Sequence, residues 1–239
     1  MTKEFYARTE ALLGEEAVSR LKKARVAVFG AGGVGSAAIE ALARSGVGNI
    51  DIFDHDVISK SNLNRQLMTT TENIGEKKAE AAAKRAKLIN PDATVTAHEI
   101  FYLPDTADNV DLSIYDYIID AVDTLTAKLL LVEKAKEYNI PIISSMGTGN
   151  KLDITRLRVS DIKKTEICPL ARRMRKELKE RGIGELLCVW SDEKPTSAKD
   201  TGELKGDRPA PASAIFVPAA AGLLMAKEAI MYICNEVNV

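Results

Sequence analysis

The stretch Arg25-Val26-Ala27-Val28-Phe29-Gly30-Ala31-Gly32-Gly33-Val34-Gly35 decides the fold. Val26 to Phe29 is an unbroken apolar run with two β-branched valines, which suits a strand covered on both faces. Gly30, Gly32 and Gly35 then fall at G-x-G-x-x-G spacing. In that pattern one glycine permits the tight turn, one lets backbone approach a phosphate, and one lets the helix pack closely on the strand. A helix beginning near Gly33 points its unpaired N–H groups and positive dipole end at that phosphate. Further on, Ile50-Asp51-Ile52-Phe53 reads as a second strand ending at Asp54, where an acid accepts hydrogen bonds from ribose hydroxyls. Together these features predict a nucleotide-binding strand-turn-helix unit.

The bulk of the chain sets limits around that unit. Its 239 residues can bury one good-sized core. The formal net charge is −1, so any basic surface must be local. No uninterrupted apolar run approaches membrane-spanning length, and Met1-Thr2-Lys3-Glu4 does not read as a signal peptide, so no membrane association is expected. Cys168, Cys188 and Cys234 are odd in number and widely spaced. That usage fits a reducing cytoplasm better than a disulfide framework.

Taken in order, Phe5 to Lys23 reads as a helix with Leu12, Leu13, Val18 and Leu21 as a partial apolar face. The helix after the glycine turn runs from about Gly33 to Ser45, with small residues that allow close packing. The polar stretch Asp56 to Gln66 falls where parallel strands place a ligand crevice, at their carboxyl ends. A helix is expected from Gly75 to Ile89, stopped by Asn90-Pro91, and a strand over Thr94 to His98. His98 belongs on the surface or edge of that strand. Strands over Tyr115 to Val122 and Pro141 to Ser145 flank a helix from Leu125 to Tyr138. Alternating strands and helices predict an α/β fold, a doubly wound and mostly parallel sheet with helices on both faces.

Residues 1–150 thus form a nucleotide-binding core, and 151–239 a C-terminal extension packed on that core within a single domain. In the extension, Ile154 to Ile162 and Leu186 to Trp190 read as strands and Pro169 to Arg181 as a basic helix. Residues from about 191 to 211 read as a mobile loop, and Ser213 to Ile233 ends in a helix against the sheet.

The glycine turn, Asp54, Ser61-Asn62-Leu63-Asn64-Arg65-Gln66, Lys78 and Ala121-Val122-Asp123-Thr124 together resemble the adenylating superfamily of ubiquitin-activating, molybdopterin- and thiamin-synthesis enzymes. The resemblance implies a Rossmann-like sheet that binds ATP with Mg2+ and adenylates a substrate carboxylate. On this likeness Gly30, Gly32, Gly33, Gly35, Asp54, Ser61, Asn62 and Gln66 surround the nucleotide. Asp54 holds the ribose, and Asn62 and Arg65 contact phosphates. Lys78 neutralises the triphosphate, and Asp123 holds the magnesium or orders the reacting groups. Arg8 resembles an N-terminal arginine that reaches a neighbouring subunit's triphosphate, which implies a homodimer. The residue types suit the chemistry, because a carboxylate attacking phosphorus must overcome charge repulsion.

Ser145 to Asp153, Ile167 to Arg172 and Ser213 to Pro218 narrow the resemblance to one branch, the tRNA threonylcarbamoyladenosine dehydratases. That branch activates the threonyl carboxylate of a modified adenosine and closes a ring from within the same side chain. The likeness implies tRNA as substrate, sulfur-transfer proteins as partners, a monovalent cation beside magnesium, and a cytoplasmic location. Paired C-x-x-C motifs are absent, so no zinc is expected. An activator of a sulfur-carrier protein and a non-catalytic nucleotide-binding module are the competing classes.

Several local features stay open at this stage. Lys163, Lys164, Arg172, Arg173, Arg175 and Lys176 form either a solvated face or a phosphate-tracking tRNA surface. Cys168 precedes a proline at a helix start, where a thiol could be activated, whereas Cys188 and Cys234 read as core residues. His55, between two acids, reads as a packing or surface residue rather than a metal ligand. Trp190 and Phe101-Tyr102 fit base stacking and ordinary packing equally well.

Overall fold

A computed structural model describes residues 3–197, 202, 204–205 and 208–235. Helices α1 (Lys3–Leu13) and α2 (Glu15–Lys23) precede strand β1 (Arg25–Phe29). The single N-terminal helix expected from sequence breaks at Gly14, whose φ of 93° lies in the left-handed region that a helix cannot pass through. Helix α3 (Gly35–Ser45), strand β2 (Asn49–Phe53), helix α4 (Lys78–Ile89) and strand β3 (Thr94–His98) follow. Next come a short helix α5 (Pro104–Ala107), strand β4 (Tyr117–Asp120), helix α6 (Leu125–Glu137) and strand β5 (Ile142–Ser145). Strand β6 (Leu157–Asp161), helix α7 (Pro169–Glu180) and strand β7 (Leu187–Ser191) complete the sheet elements. A small hairpin of β8 (Leu204–Lys205) and β9 (Arg208–Pro209) leads to helix α8 (Phe216–Asn235).

Seven strands form one sheet in the order β3-β2-β1-β4-β5-β7-β6. All neighbours are parallel except β6, which pairs antiparallel with β7 and closes one edge. The expected α/β doubly wound, Rossmann-like sheet is therefore present. Strand β7 joins this sheet through β5, so the chain beyond Asn150 extends it. The expected strand from Ile154 begins only at Leu157, because Asp153 caps a 3-10 turn over Ile154–Arg156.

Strand β1 shows why the sheet must be covered on both sides. Val26 and Val28 belong to one apolar cluster with Ile50, Ile52, Leu42 and Met225, whereas Ala27 and Phe29 belong to another with Phe53, Ile118 and Leu131. Alternate residues thus face opposite layers, and all four are fully buried. Helices α2, α3, α4 and α8 pack into the first cluster, and α6 contributes Leu131 and Ala135 to the second. A third cluster joins α7 to Cys188 and Trp190 of β7. By length and composition α8 is apolar enough to cross a bilayer, but half of it is buried in this core, against α2, α3 and the sheet.

Part of the stretch expected to be a mobile loop lies outside the described residues. Its beginning is tied down: Glu193 accepts from the backbone N–H groups of Leu152 and Asp153, and Thr196 N–H donates to the Asn150 carbonyl.

Candidate nucleotide site

Strand order reverses at β1: β2 and β3 lie on one side of it and β4 on the other. The loops leaving the carboxyl ends of β1 and β4 therefore diverge and open a crevice between them. The glycine turn leaves β1 and the Ala121–Thr124 loop leaves β4. Gly30 has φ 90°, and a Cβ there would stand 2.8 Å from the Ala121 carbonyl oxygen. At Gly35 an added Cβ would stand 1.7 Å from the Gly30 carbonyl oxygen. These contacts pack the turn against its own helix and against the β4 loop. Above Gly32, by contrast, an added Cβ would meet nothing within 4 Å. The turn is closed at Gly30 and Gly35, covered at Gly33 by Pro218 and Arg65, and open at Gly32, where backbone can cradle an anion.

Asp54 follows β2 and is 9% exposed. Its Oδ2 accepts from Ala31 N–H at 2.7 Å and its Oδ1 from Asp56 N–H at 2.9 Å. Each oxygen keeps a second lone pair. Asp56 in turn holds Lys78, whose Nζ lies 2.7 Å from Asp56 Oδ2 at the start of α4, while Lys78 N–H donates to the Asp56 carbonyl. The lysine is buried, so its charge is balanced by this carboxylate.

The polar stretch forms a 3-10 turn over Lys60–Asn62. Asn62 Oδ1 accepts from Ser59 N–H, and the Ser61 and Ser59 hydroxyls are 3.0 Å apart. Arg65 donates to the Ser61 carbonyl at 2.8 Å and to Asn64 Oδ1 at 2.9 Å. Its aliphatic stem lies beside Gly33, where a Cβ would stand 3.4 Å from Arg65 Cγ. Gln66 is buried, and its Oε1 has no hydrogen-bond partner. Asp123 is exposed on the β4 loop. The fold thus brings the glycine turn, Asp54, Arg65, Lys78 and Asp123 to the carboxyl edge of the same sheet.

Arg8 is not gathered with them. It is exposed on α1, and Tyr6 of the same helix packs at Gly46, just past the far end of α3. An eleven-residue helix rises about 16 Å, so that contact lies well away from the glycine turn at the other end of α3.

Other residues depart from expectation. Arg175 turns inward and donates to the Thr165 carbonyl at 2.7 Å and to the Thr165 hydroxyl. Lys163, Lys164, Arg172, Arg173 and Lys176 remain exposed, with Lys176 3.8 Å from Glu180. Trp190 is buried and donates its indole N–H to Ser160 Oγ, and Tyr102 is buried at 5.0 Å from the Phe29 ring, so neither offers a free stacking face. Phe101 stacks on His55 at 4.0 Å. Asp54, His55 and Asp56 bring their donor atoms within 4.8 Å of one another. His98, on the outer strand β3, stacks on Phe53 and bonds Asp51 at 2.7 Å.

All three cysteines are buried, and burial pushes the Cys188 thiol up to about 12. Lys151, buried with its Nζ 3.0 Å from the Ser191 carbonyl, has a lowered pKa because desolvation outweighs the nearby Cys168, Glu193 and Asp192. Sequence reasoning also missed a charged trio at the carboxyl ends of β4 and β5, formed by Asp120, Lys128 and Ser144. The available signal was an acid closing the apolar run Tyr117-Ile118-Ile119 and a lysine inside Ala127-Lys128-Leu129.

Known proteins share this fold over nearly the whole chain. The ThiF family profile matches residues 6–239. A tRNA threonylcarbamoyladenosine dehydratase of Bacillus subtilis is 37% identical, over 98% of this chain and 96% of its own. Crystal structures of the Escherichia coli tRNA N6-threonylcarbamoyladenosine dehydratase superpose at 33% identity, each covering 97% of this chain and 94% of the other. The TM-score is 0.89 for its complex with AMP and 0.86 for its complex with ATP.

Proposed function

The chain belongs to the ThiF family, and from that premise we propose that it is an ATP-dependent tRNA threonylcarbamoyladenosine dehydratase. The observation that carries this reading is end-to-end similarity to a protein of that name, extending through the region after Asn150 as well as the nucleotide half. ATP is a substrate here. The threonyl carboxylate of the modified adenosine attacks the α-phosphorus, and pyrophosphate leaves an acyl-adenylate. A nucleophile of the same side chain then attacks the activated carbonyl, closes the ring and expels AMP, with net loss of water. Because both reacting groups belong to one side chain, their effective molarity is high.

On this reading Gly30, Gly32, Gly33 and Gly35 line the phosphates with backbone. Asp54 accepts from the ribose through its remaining lone pairs, and Ser61, Asn62, Arg65 and Gln66 surround the triphosphate. Lys78 exchanges Asp56 for phosphate oxygens. The exposed Asp123 carboxylate is a hard oxygen donor of the kind Mg2+ takes, and it would hold that ion. Magnesium, when bound, offsets the phosphate charge that repels an attacking carboxylate. In a homodimer Arg8 would reach a neighbouring subunit's triphosphate, consistent with its separation from the crevice within one chain. Exposed Lys163, Lys164, Arg172, Arg173 and Lys176 would track tRNA phosphates while the modified base sets specificity. A monovalent cation beside magnesium, sulfur-transfer protein partners and a cytoplasmic location belong to the same proposal. So does the division into a nucleotide core over 1–150 and a substrate-binding and dimerisation extension over 151–239.

Two measurements test it together. ATP–pyrophosphate exchange should require tRNA carrying threonylcarbamoyladenosine and should not respond to sulfur-carrier proteins. Mass spectrometry of tRNA nucleosides from cells lacking the gene should show the cyclic nucleoside lost and the open form retained. Persistence of the cyclic nucleoside at its normal level would overturn the assignment.

A further inference from the structure

Asp120 and Lys128 are an ion pair with no solvent exposure at either side chain. Lys128 Nζ lies 2.8 Å from Asp120 Oδ2, 3.0 Å from Ser144 Oγ and 3.5 Å from the Asp120 carbonyl oxygen. Ser144 Oγ donates to Asp120 Oδ2 at 2.6 Å, and Val122 N–H donates to Asp120 Oδ1 at 3.3 Å. All three ammonium protons therefore have acceptors, and both carboxylate oxygens have donors. Burying such a pair is costly, and well-packed apolar residues would serve stability at least as well. What the trio holds is more specific than packing.

Asp120 is the last residue of β4, Ser144 is its register partner on β5, and Lys128 lies on the first turn of α6. The ammonium thus reaches back to the residue from which the intervening loop departs. That loop, Ala121 to Thr124, carries Asp123. The same loop is the surface on which the glycine turn rests, through Ala121 N–H to the Phe29 carbonyl and the close approach at Gly30. One salt bridge closes the base of the loop that forms the second wall of the crevice.

We infer that Lys128 is a positioning residue: through Asp120 and Ser144 it fixes the β4 loop so that Asp123 stands at a set distance from the glycine turn. The inference rests on the nucleotide reading proposed above for the partner that Asp123 meets. Lys128 itself, fully buried, touches no ligand.

The test is a double-mutant cycle on Mg·ATP affinity, read by calorimetry. It compares the wild-type chain, Asp123→Asn, the neutral pair Asp120→Asn with Lys128→Met, and all three changes together. Each arm alone should weaken binding about tenfold, and the combination should be no weaker than about tenfold, because the clamp acts only through Asp123. Effects that multiply to about a hundredfold, or a neutral pair that binds like wild type, would overturn the inference. Should the neutral pair fail to fold, Ser144→Ala removes one strut while leaving the ion pair and enters the same cycle, with the same non-multiplying outcome expected.

Hydrogen exchange of the ligand-free protein separates this inference from the functional reading. The Ala121 and Val122 amides should exchange at least about tenfold faster in the neutral pair, or in Ser144→Ala, while β1 amides keep their protection. If the wild-type chain bound no Mg·ATP, the nucleotide reading would fall, and unchanged exchange at those two amides would refute the clamp independently.

Discussion

At Gly35 a methyl group would stand 1.7 Å from the Gly30 carbonyl oxygen and 2.8 Å from its carbon, so backbone rather than a flexible side chain would have to move. At Gly32 the same methyl would meet nothing within 4 Å. The two glycines therefore serve different ends, although the spacing pattern treats them alike. Gly35→Ala should destabilise the protein by about 3 kcal/mol or more through overpacking at the strand-helix junction. Gly32→Ala should leave stability within about 0.5 kcal/mol of wild type and weaken ATP binding. Urea midpoints and nucleotide titrations on the same samples check both, and equal stability losses would contradict the assignment. The candidate residues themselves were legible: Asp54 from its place after a strand, Arg65 and Lys78 from their motif positions. Their partners were not. That Lys78 would lie on Asp56, and that Asp54 would already hold Ala31 N–H, follows from how two loops meet.

The elements around the site are joined by polar contacts as well as by the core. Glu40 on α3 lies 2.6 Å from Arg85 on α4 and 2.6 Å from Arg44 one turn along its own helix. Burial alone would raise the pKa of its carboxyl, but the two guanidinium groups outweigh burial and hold it below the ordinary value of 4.5. A depressed folded pKa means that the interaction stabilises fully above the unfolded pKa and is lost as pH falls through the lower, folded one. Glu40→Gln should therefore reduce stability at pH 7 by about 1 kcal/mol, a modest figure because both arginines are largely in solvent. In urea titrations across pH the gap to wild type should begin to close below the ordinary carboxyl pKa. A gap of the same size at pH 7 and in acid would exclude this account. Most elements were readable from local pattern, including the limits of β3 and the start of α7 at Pro169. The N-terminal break was not, because helical periodicity passes through Gly14 undisturbed and only its positive φ ends α1.

Over the whole molecule the net charge is −1, so attraction to a polyanion must come from arrangement rather than total charge. The exposed cations beside and along α7 are the surface proposed for it, and Arg175 is not among them because its guanidinium is spent on Thr165. Replacing Arg172 and Arg173 by alanine should weaken tRNA binding and lower the slope of log K against log salt by up to about two units. Arg175→Ala should instead act mainly on the stability of the turn around Thr165. Filter binding across salt concentrations distinguishes them, and an unchanged slope in the Arg172/Arg173 variant would remove this surface from the interface.

What the sequence by itself determined lies in patterns read along the chain: the glycine spacing, the acid after β2, the alternation of strand and helix, and the small residues of the terminal helix. Each acts through neighbours along the chain, so local pattern carries it. The tertiary structure alone decided which distant groups meet. Asp120, Lys128 and Ser144 come from three elements and meet because β4 and β5 are register partners. Trp190 and Tyr102 are buried, and Arg175 turns inward, because of the layer each one faces. Periodicity assigns a residue to a face, but strand order and register, set by packing of the whole core, determine what lies across from it.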